Sequence, residues 1–145
     1  MELRATVKDI MSWRPCSAYT EKRITRLFKG RESVTAMDVL ESRIPAEDKL
    51  WAVLREEMIP APILHEFACR CAEQALLKER EAGREPHADS WKAIEVKRLW
   101  LKGEASDQEL DAARDAAWAA AEDAAEDARD AAWAAAEDAA RDAAW

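Results

Sequence analysis

The chain has 145 residues, enough for a packed core in one domain with room for an appendage. Hydrophobic residues make up 49% and charged residues 36%, with only three Gly and five Pro, a composition of helices rather than sheets. The net charge of −8 excludes binding to nucleic acid or anionic lipid through bulk charge, and no apolar run nears the roughly 20 residues of a membrane span.

Taken in chain order, Thr6 caps a short helix over VKDIMSW, and RPCSAY, with Pro15, reads as a turn. Thr20 caps EKRITRLF, which Gly30 closes; Ile24, Leu27 and Phe28 fall at i, i+3 and i+4, one apolar stripe. Ser33 or Thr35 caps AMDVLESR, with Met37, Val39 and Leu40 predicted inward. Pro45 stands at the first helical position of AEDKLWAVLREEM, where Leu50, Trp51 and Leu54 form the stripe. The segment IPAP interrupts the chain. From Pro62, ILHEFACRCAEQALLKEREAG reads as a long helix ending at Gly83, with Ile63, Phe67, Cys71 and Leu76 or Leu77 at helical spacing. After the turn REPHAD, Asp89 or Ser90 caps WKAIEVKRLWLKG, with Trp91, Ile94, Val96 and Leu99 inward and Gly103 as the stop. A capping box at Ser106 and Glu109 opens a last helix that meets no Gly or Pro before Trp145.

The expected fold is therefore all-α. It has an N-terminal module of short helices (1–60), a central helix pair (61–106) and an alanine-rich repeat helix (107–145), segments that one compact unit can hold. The last helix folds back as a helical hairpin if it breaks at residues 122–127, where like charges crowd without bases.

The repeat is the most distinctive stretch. RDAAWAAAEDAA begins at Arg114 and recurs letter for letter at Arg129, and its first five residues return at Arg141. Residues 107–145 hold 19 Ala, 12 Asp and Glu and 3 Arg, a net of −9, whereas residues 1–106 balance 18 acids with 19 bases. Alanine is the best helix former, so little tertiary help is required. Each repeat carries an acid, an Arg three residues on and a Trp four beyond that: Asp111-Arg114-Trp118, Glu126-Arg129-Trp133 and Asp138-Arg141-Trp145. These spacings predict an ion pair and a guanidinium–indole stack on one helical surface. Ala113, Ala116, Ala117, Ala120, Ala121 and Ala124 line the other side, and Trp145, only 12 residues after Trp133, leaves the stripe for a fraying end. The repeat reads either as a structural helix packed by its alanine face, with Trp filling gaps, or as a surface for a partner. The partner-binding residues are then Trp118, Glu122, Asp123, Glu126, Asp127, Asp130, Trp133, Glu137 and Asp138, with Asp115 alongside.

No catalytic signature stands out, and the expectation is a protein that is not an enzyme, with no cofactor and no metal. His65 and Cys69 are i, i+4 and could share a helix face, but a metal or nucleophilic pair needs further members; a buried Cys beside a partly exposed His is the plainer reading. Glu56 and Glu57 are ordinary solvated charge. Cys16, Cys69 and Cys71 form an odd set, and Cys69 and Cys71, i and i+2, point about 200° apart on a helix, so no disulfide framework is implied. With no signal peptide read at the start, the expected location is the bacterial cytoplasm. One basic cluster, Lys22, Arg23, Arg26, Lys29 and Arg31, lies near Tyr19 and Trp13; it reads as a solvated face or an internal contact to acids before it reads as a nucleic-acid site.

Two longer stretches carry a resemblance. MSWRPCSAYTEKRITRLFKGRESVTAMDVLESRIPAEDKLWAVLREEMI, with its W-x-P-C-x-x-Y-T start and I-P-x-E-D-x-L-W-A-V-L centre, resembles a module of bacterial and phage proteins of unknown activity. LHEFACRCAEQAL and SWKAIEVKRLWLKGEASDQELDAARDAAWAAA are similar to the alanine-rich helical domain of immunity proteins of the immunity-five-like group. The resemblance implies a non-catalytic helical protein from a phage, prophage or bacterial conflict setting. The leading expectation is an acidic helical inhibitor that binds a protein partner with a basic surface, such as the nucleic-acid groove of a CRISPR or other nuclease complex (an anti-CRISPR), or else a toxin. The alternative is an assembly module, a homo-oligomer that self-associates through its alanine face.

Overall fold

The computed structural model describes residues 1–143, and among them the fold is all-α: seven helices and no strand. The chain gathers into two compact units, residues 1–66 and 67–145.

The first unit holds α1 (Val7–Ser12), α2 (Glu21–Leu27), α3 (Ala36–Glu41), α4 (Ala46–Val53) and the opening of α5 (Ala61–Glu81). Helices of six to eight residues are marginal alone, so their ends carry much of the specification. In α1 the Thr6 hydroxyl accepts from the Asp9 N–H while the Asp9 carboxylate accepts from the Thr6 N–H. Thr35 and Asp38 repeat this reciprocal box at α3, and Thr20 caps α2. A single antiparallel bridge, Ala5 to Val34, with both N–H···O distances at 2.9 Å, draws the segment before α1 against the one before α3. Ala5, Ile10, Ile24, Phe28, Val34 and Met58 close over one another as the core of this unit, with Val39, Tyr19 and Trp13 packed around them.

Several inward assignments do not hold. Met37 and Leu40 are exposed; the Thr35–Asp38 box sets the rotation of α3 so that Ala36 and Val39 meet the core instead. Helix α4 ends at Val53 rather than running to Met58, because the backbone leaves the helix at Leu54 and a turn from Arg55 brings Met58 into the core. Burying that side chain is worth about 2 kcal/mol, more than the helix propensity of four residues. As a result Ala52 and Val53 are buried in α4, while Leu50, Trp51 and Leu54 are each more than 40% exposed.

The second unit holds the rest of α5 with α6 (Ala88–Leu101) and α7 (Asp107–Ala143). Ile63, Phe67 and Cys71 of α5 are exposed, and Cys69 is the buried residue of that helix; Glu73, one turn on from Cys69, pairs with Arg98 of α6. Arg80 also lies over the Trp91 ring at 4.8 Å. The cap of α6 is His87, whose Nδ1 accepts from the Asp89 N–H, two residues before Asp89 and three before Ser90, the two caps the sequence predicts. Gly83 and Gly103 take positive φ after α5 and α6, where the next N–H returns to a carbonyl of the last turn: Arg84 to Glu79 and Glu104 to Leu99, each at 2.9 Å. The Ser106–Glu109 box starts α7 as expected.

Helix α7 is one helix of 37 residues, with no break at 122–127 and so no hairpin. It packs on α6 through Leu110 and Ala113, both buried, then through the half-buried Ala117 and Ala120. These fall at i, i+3, i+7 and i+10, one narrow face. Trp100 Nε1 donates to Asp107 Oδ1 at 2.7 Å and locks the α6–α7 corner. No helix among the described residues is long and apolar enough to cross a membrane.

Candidate functional site: an exposed acidic helix and an apolar cavity

Beyond Ala120 the packing of α7 stops. Every described side chain from Ala121 to Asp142 is exposed. At 1.5 Å per residue this stretch is about 33 Å long. It carries eight carboxylates, at Glu122, Asp123, Glu126, Asp127, Asp130, Glu137, Asp138 and Asp142, against Arg129 and Arg141. Trp118 and Trp133 are both 72% exposed, so indole does not fill gaps on the body. At 100° per residue, Trp133, Asp115, Glu126 and Glu137 lie on the side of the helix away from the Leu110–Ala113–Ala117–Ala120 face. That packed face continues along the exposed stretch as Ala124, Ala128, Ala131 and Ala135. All nine residues predicted from the sequence as a partner surface are thus accessible, on one helix. Trp145 lies outside the described residues.

The local triplets form only in part. Arg114 reaches Asp111 at 4.0 Å and Arg141 reaches Asp138 at 3.9 Å, whereas Arg129 donates to the Ala125 carbonyl. Among the described residues no guanidinium lies over Trp118 or Trp133; the Arg–aromatic pairs are Arg23 on Tyr19, Arg55 between Trp13 and Trp51, and Arg80 on Trp91. In full water a pair of this kind gains too little to fix two long side chains. The first half of α7 meets more charge: Lys97, over the Trp100 ring at 4.1 Å, has its pKa lowered by burial and by the nearby Arg114.

The basic cluster near α2 does not form one positive face. Arg23 stacks on Tyr19 and donates to the Ala18 carbonyl, and Arg31 pairs with Asp38 and donates to the Phe28 carbonyl. Lys22, Arg26 and Lys29 are exposed, and Arg31 is exposed but paired. His65 is half-buried and Cys69 buried on α5, and no group of three or more His, Cys, Asp or Glu among the described residues could hold a metal ion.

A second feature was not visible in the sequence. The first unit contains a cavity of about 320 Å³. Its inner wall is the buried face of Ile10, Ile24, Phe28, Val34 and Ala52, extended by Leu27, Val39 and Ile44. Exposed Cys16, Glu47 and Trp51 stand on its solvent side. Two polar pairs complete the lining. The Tyr19 hydroxyl donates to Asp48 Oδ2 at 2.5 Å, and Arg31 pairs with Asp38. Burial first, and the Asp48 carboxylate second, push the Tyr19 phenol up to about 12. These residues come from four helices and the turns between them, which is why no motif announced them; the W-x-P-C-x-x-Y-T and I-P-x-E-D-x-L-W stretches supply six of them.

No protein-family model matches the chain, and comparison with curated proteins and with solved structures gives no match either.

Proposed function

We propose that this chain is a non-catalytic binding protein that presents the exposed half of α7 to a protein with a basic surface. The observation that carries this reading is the exposure of every described side chain from Ala121 to Asp142 together with Trp118 and Trp133. An isolated helix gains no burial by standing in water, and indoles left 72% exposed are anchors without a pocket. The row of carboxylates suits a groove built for a polyanion, such as the nucleic-acid channel of a nuclease complex, and filling that channel would inhibit its owner. Inhibitors of the anti-defence type and toxin-immunity proteins, acting in the cytoplasm of a bacterial host, are the classes this mechanism serves.

One observation favours the assembly reading: the alanine face that seats α7 on α6 continues, uncovered, as Ala124, Ala128, Ala131 and Ala135. Electrostatics weigh against it. Each copy brings a net of −9 over residues 107–145, and alanine methyls return only about 0.8 kcal/mol each on burial.

The test uses the full chain. Proteins captured from a bacterial lysate by the wild type should be lost when Glu122, Asp123, Glu126 and Asp127 are changed together to Lys, and should be lost at high salt, where exposed pairs are screened beyond about 3 Å at 1 M. Trp133→Ala should weaken capture. Capture that survives the charge reversal, with self-association abolished by Ala128→Leu and Ala131→Leu in sedimentation, would replace the inhibitor reading by the assembly one.

A further inference from the structure

The cavity in the first unit is independent of α7 and has no part in the reading above. Protein interiors rarely leave voids larger than a water molecule, and an engineered apolar cavity of about 150 Å³ already binds benzene. A space of about 320 Å³ opens to solvent at a polar rim, and its inner wall of Ile24, Leu27, Phe28, Val39 and Ile44 offers water no hydrogen bonds and an apolar body burial. Its size is at the lower end of the range for small-molecule sites.

The charge on the lining says what kind of molecule fits. Arg31 is the single cation there, and it is committed: its guanidinium pairs with Asp38 and donates to the Phe28 carbonyl. Asp38 is committed as well, to Arg31 and to the Thr35 N–H. That leaves Glu47 and Asp48, neighbours in the first turn of α4, neither of them in an ion pair among the described residues. The Tyr19 hydroxyl on Asp48 is a neutral donor and leaves the negative charge in place. The Trp51 ring lines the same space as an apolar wall; a cation, Arg55, already lies over it at 4.7 Å, so the carboxylates of Glu47 and Asp48 are what select the charge. Arg23, stacked on Tyr19, is not part of the lining.

We propose that this cavity binds a small amphiphilic cation, an apolar body of roughly ten non-hydrogen atoms carrying one ammonium group. The body fills the Ile24–Leu27–Val39–Ile44 space, and the ammonium sits at Glu47 and Asp48 beside Trp51. A carboxylate of the same shape is rejected, because the one guanidinium it would need is already paired.

The experiment compares octylammonium, octanol and octanoate, matched in chain length, against the full chain at about 0.15 M salt to suppress condensation on the acidic helix. Titration is followed by calorimetry and by methyl NMR. Octylammonium should saturate a single site and shift the methyls of Leu27, Val39 and Ile44. Octanol should bind about tenfold more weakly, the loss of one charge-assisted contact, and octanoate more weakly still. Glu47→Gln, at an exposed position, and Asp48→Asn, which still accepts from Tyr19, should each weaken octylammonium severalfold, together bring it close to the octanol affinity, and leave octanol unchanged. Ala52→Leu should weaken all three by filling the space; if that variant does not fold, the Glu47 and Asp48 variants decide alone. Equal affinity for the three probes, preference for octanoate, indifference to Glu47→Gln, or shifts confined to Trp118, Trp133 and the acidic helix would each overturn the proposal.

Discussion

Tyr19 donates its phenolic hydrogen to Asp48, 29 residues away, and so joins the turn ahead of α2 to the first turn of α4 across the mouth of the cavity. Tyr19→Phe removes the donor and leaves a half-buried carboxylate with one fewer partner. We expect a loss of about 1–2 kcal/mol in a denaturant titration, with the helix content of the folded state unchanged.

The same pair sets the alkaline limit. Burial and the Asp48 carboxylate raise the folded-state pKa of Tyr19 from its ordinary 10.0 to about 12. A group with a raised folded pKa contributes stability that is fully present below its unfolded pKa and is lost as pH rises through the folded one. The melting temperature should therefore fall between pH 10 and 12, and less steeply in Tyr19→Phe than in the wild type. Parallel slopes in thermal melts would show that Tyr19 is not the group responsible.

The acidic limit has the opposite sign. Backbone N–H groups of Thr6, Thr35 and Ser106 hold Asp9, Asp38 and Glu109 below the usual carboxylate range, and Arg84 and Arg80 do the same for Glu79 and Glu85. Their stabilisation is present above the unfolded carboxylate pKa values and disappears as pH falls through the lowered ones. Thr35→Ala should cost about 1 kcal/mol at neutral pH through the lost cap but keep most of the pH dependence, because its N–H still reaches Asp38, whereas Asp38→Asn should flatten the loss of stability on acidification, as read by melts from pH 7 down to pH 3.

Leu110 and Trp133 lie on one helix and should respond in opposite ways to truncation. Leu110 is 4% exposed against α6, so Leu110→Ala should destabilise the second unit by about 3 kcal/mol. Trp133→Ala should change stability by less than about 0.5 kcal/mol, since its ring is in water. Denaturant midpoints of the two variants check this directly.

Hydrogen exchange should divide α7 near Ala120. Amides of residues 107–120 are held by packing on α6, while those of 121–142 rest on helix propensity alone and open locally. Repulsion between Glu122 and Glu126, Asp123 and Asp127, and Glu126 and Asp130, each at i, i+4, works against that propensity by a few tenths of a kcal/mol per pair. Added salt should therefore raise helical circular dichroism and slow exchange in 121–142. An unchanged spectrum between low and high salt would show that repulsion does not limit this segment.

What the amino-acid sequence determined by itself is what local chemistry controls. Thr6, Thr20 and Ser106 were legible as caps, and Gly83 and Gly103 as stops, because a cap or a stop is a relation among residues within one turn. The alanine repeat was legible as helix because its propensity needs no partner. Which way a short helix faces was decided only in the tertiary structure. In α3 and α4, six and eight residues long, two apolar stripes compete; Val39 packs against the core and Ala52 and Val53 are buried, while Met37, Leu40 and Leu50 are left exposed. Whether α7 breaks at residues 122–127 was open for the same reason, since like-charge repulsion and alanine propensity are of similar size there. The cavity belongs wholly to tertiary structure. It exists where Tyr19, Arg31, Asp38 and Asp48 converge from different helices and turns, and no spacing along the chain encodes a distance across it.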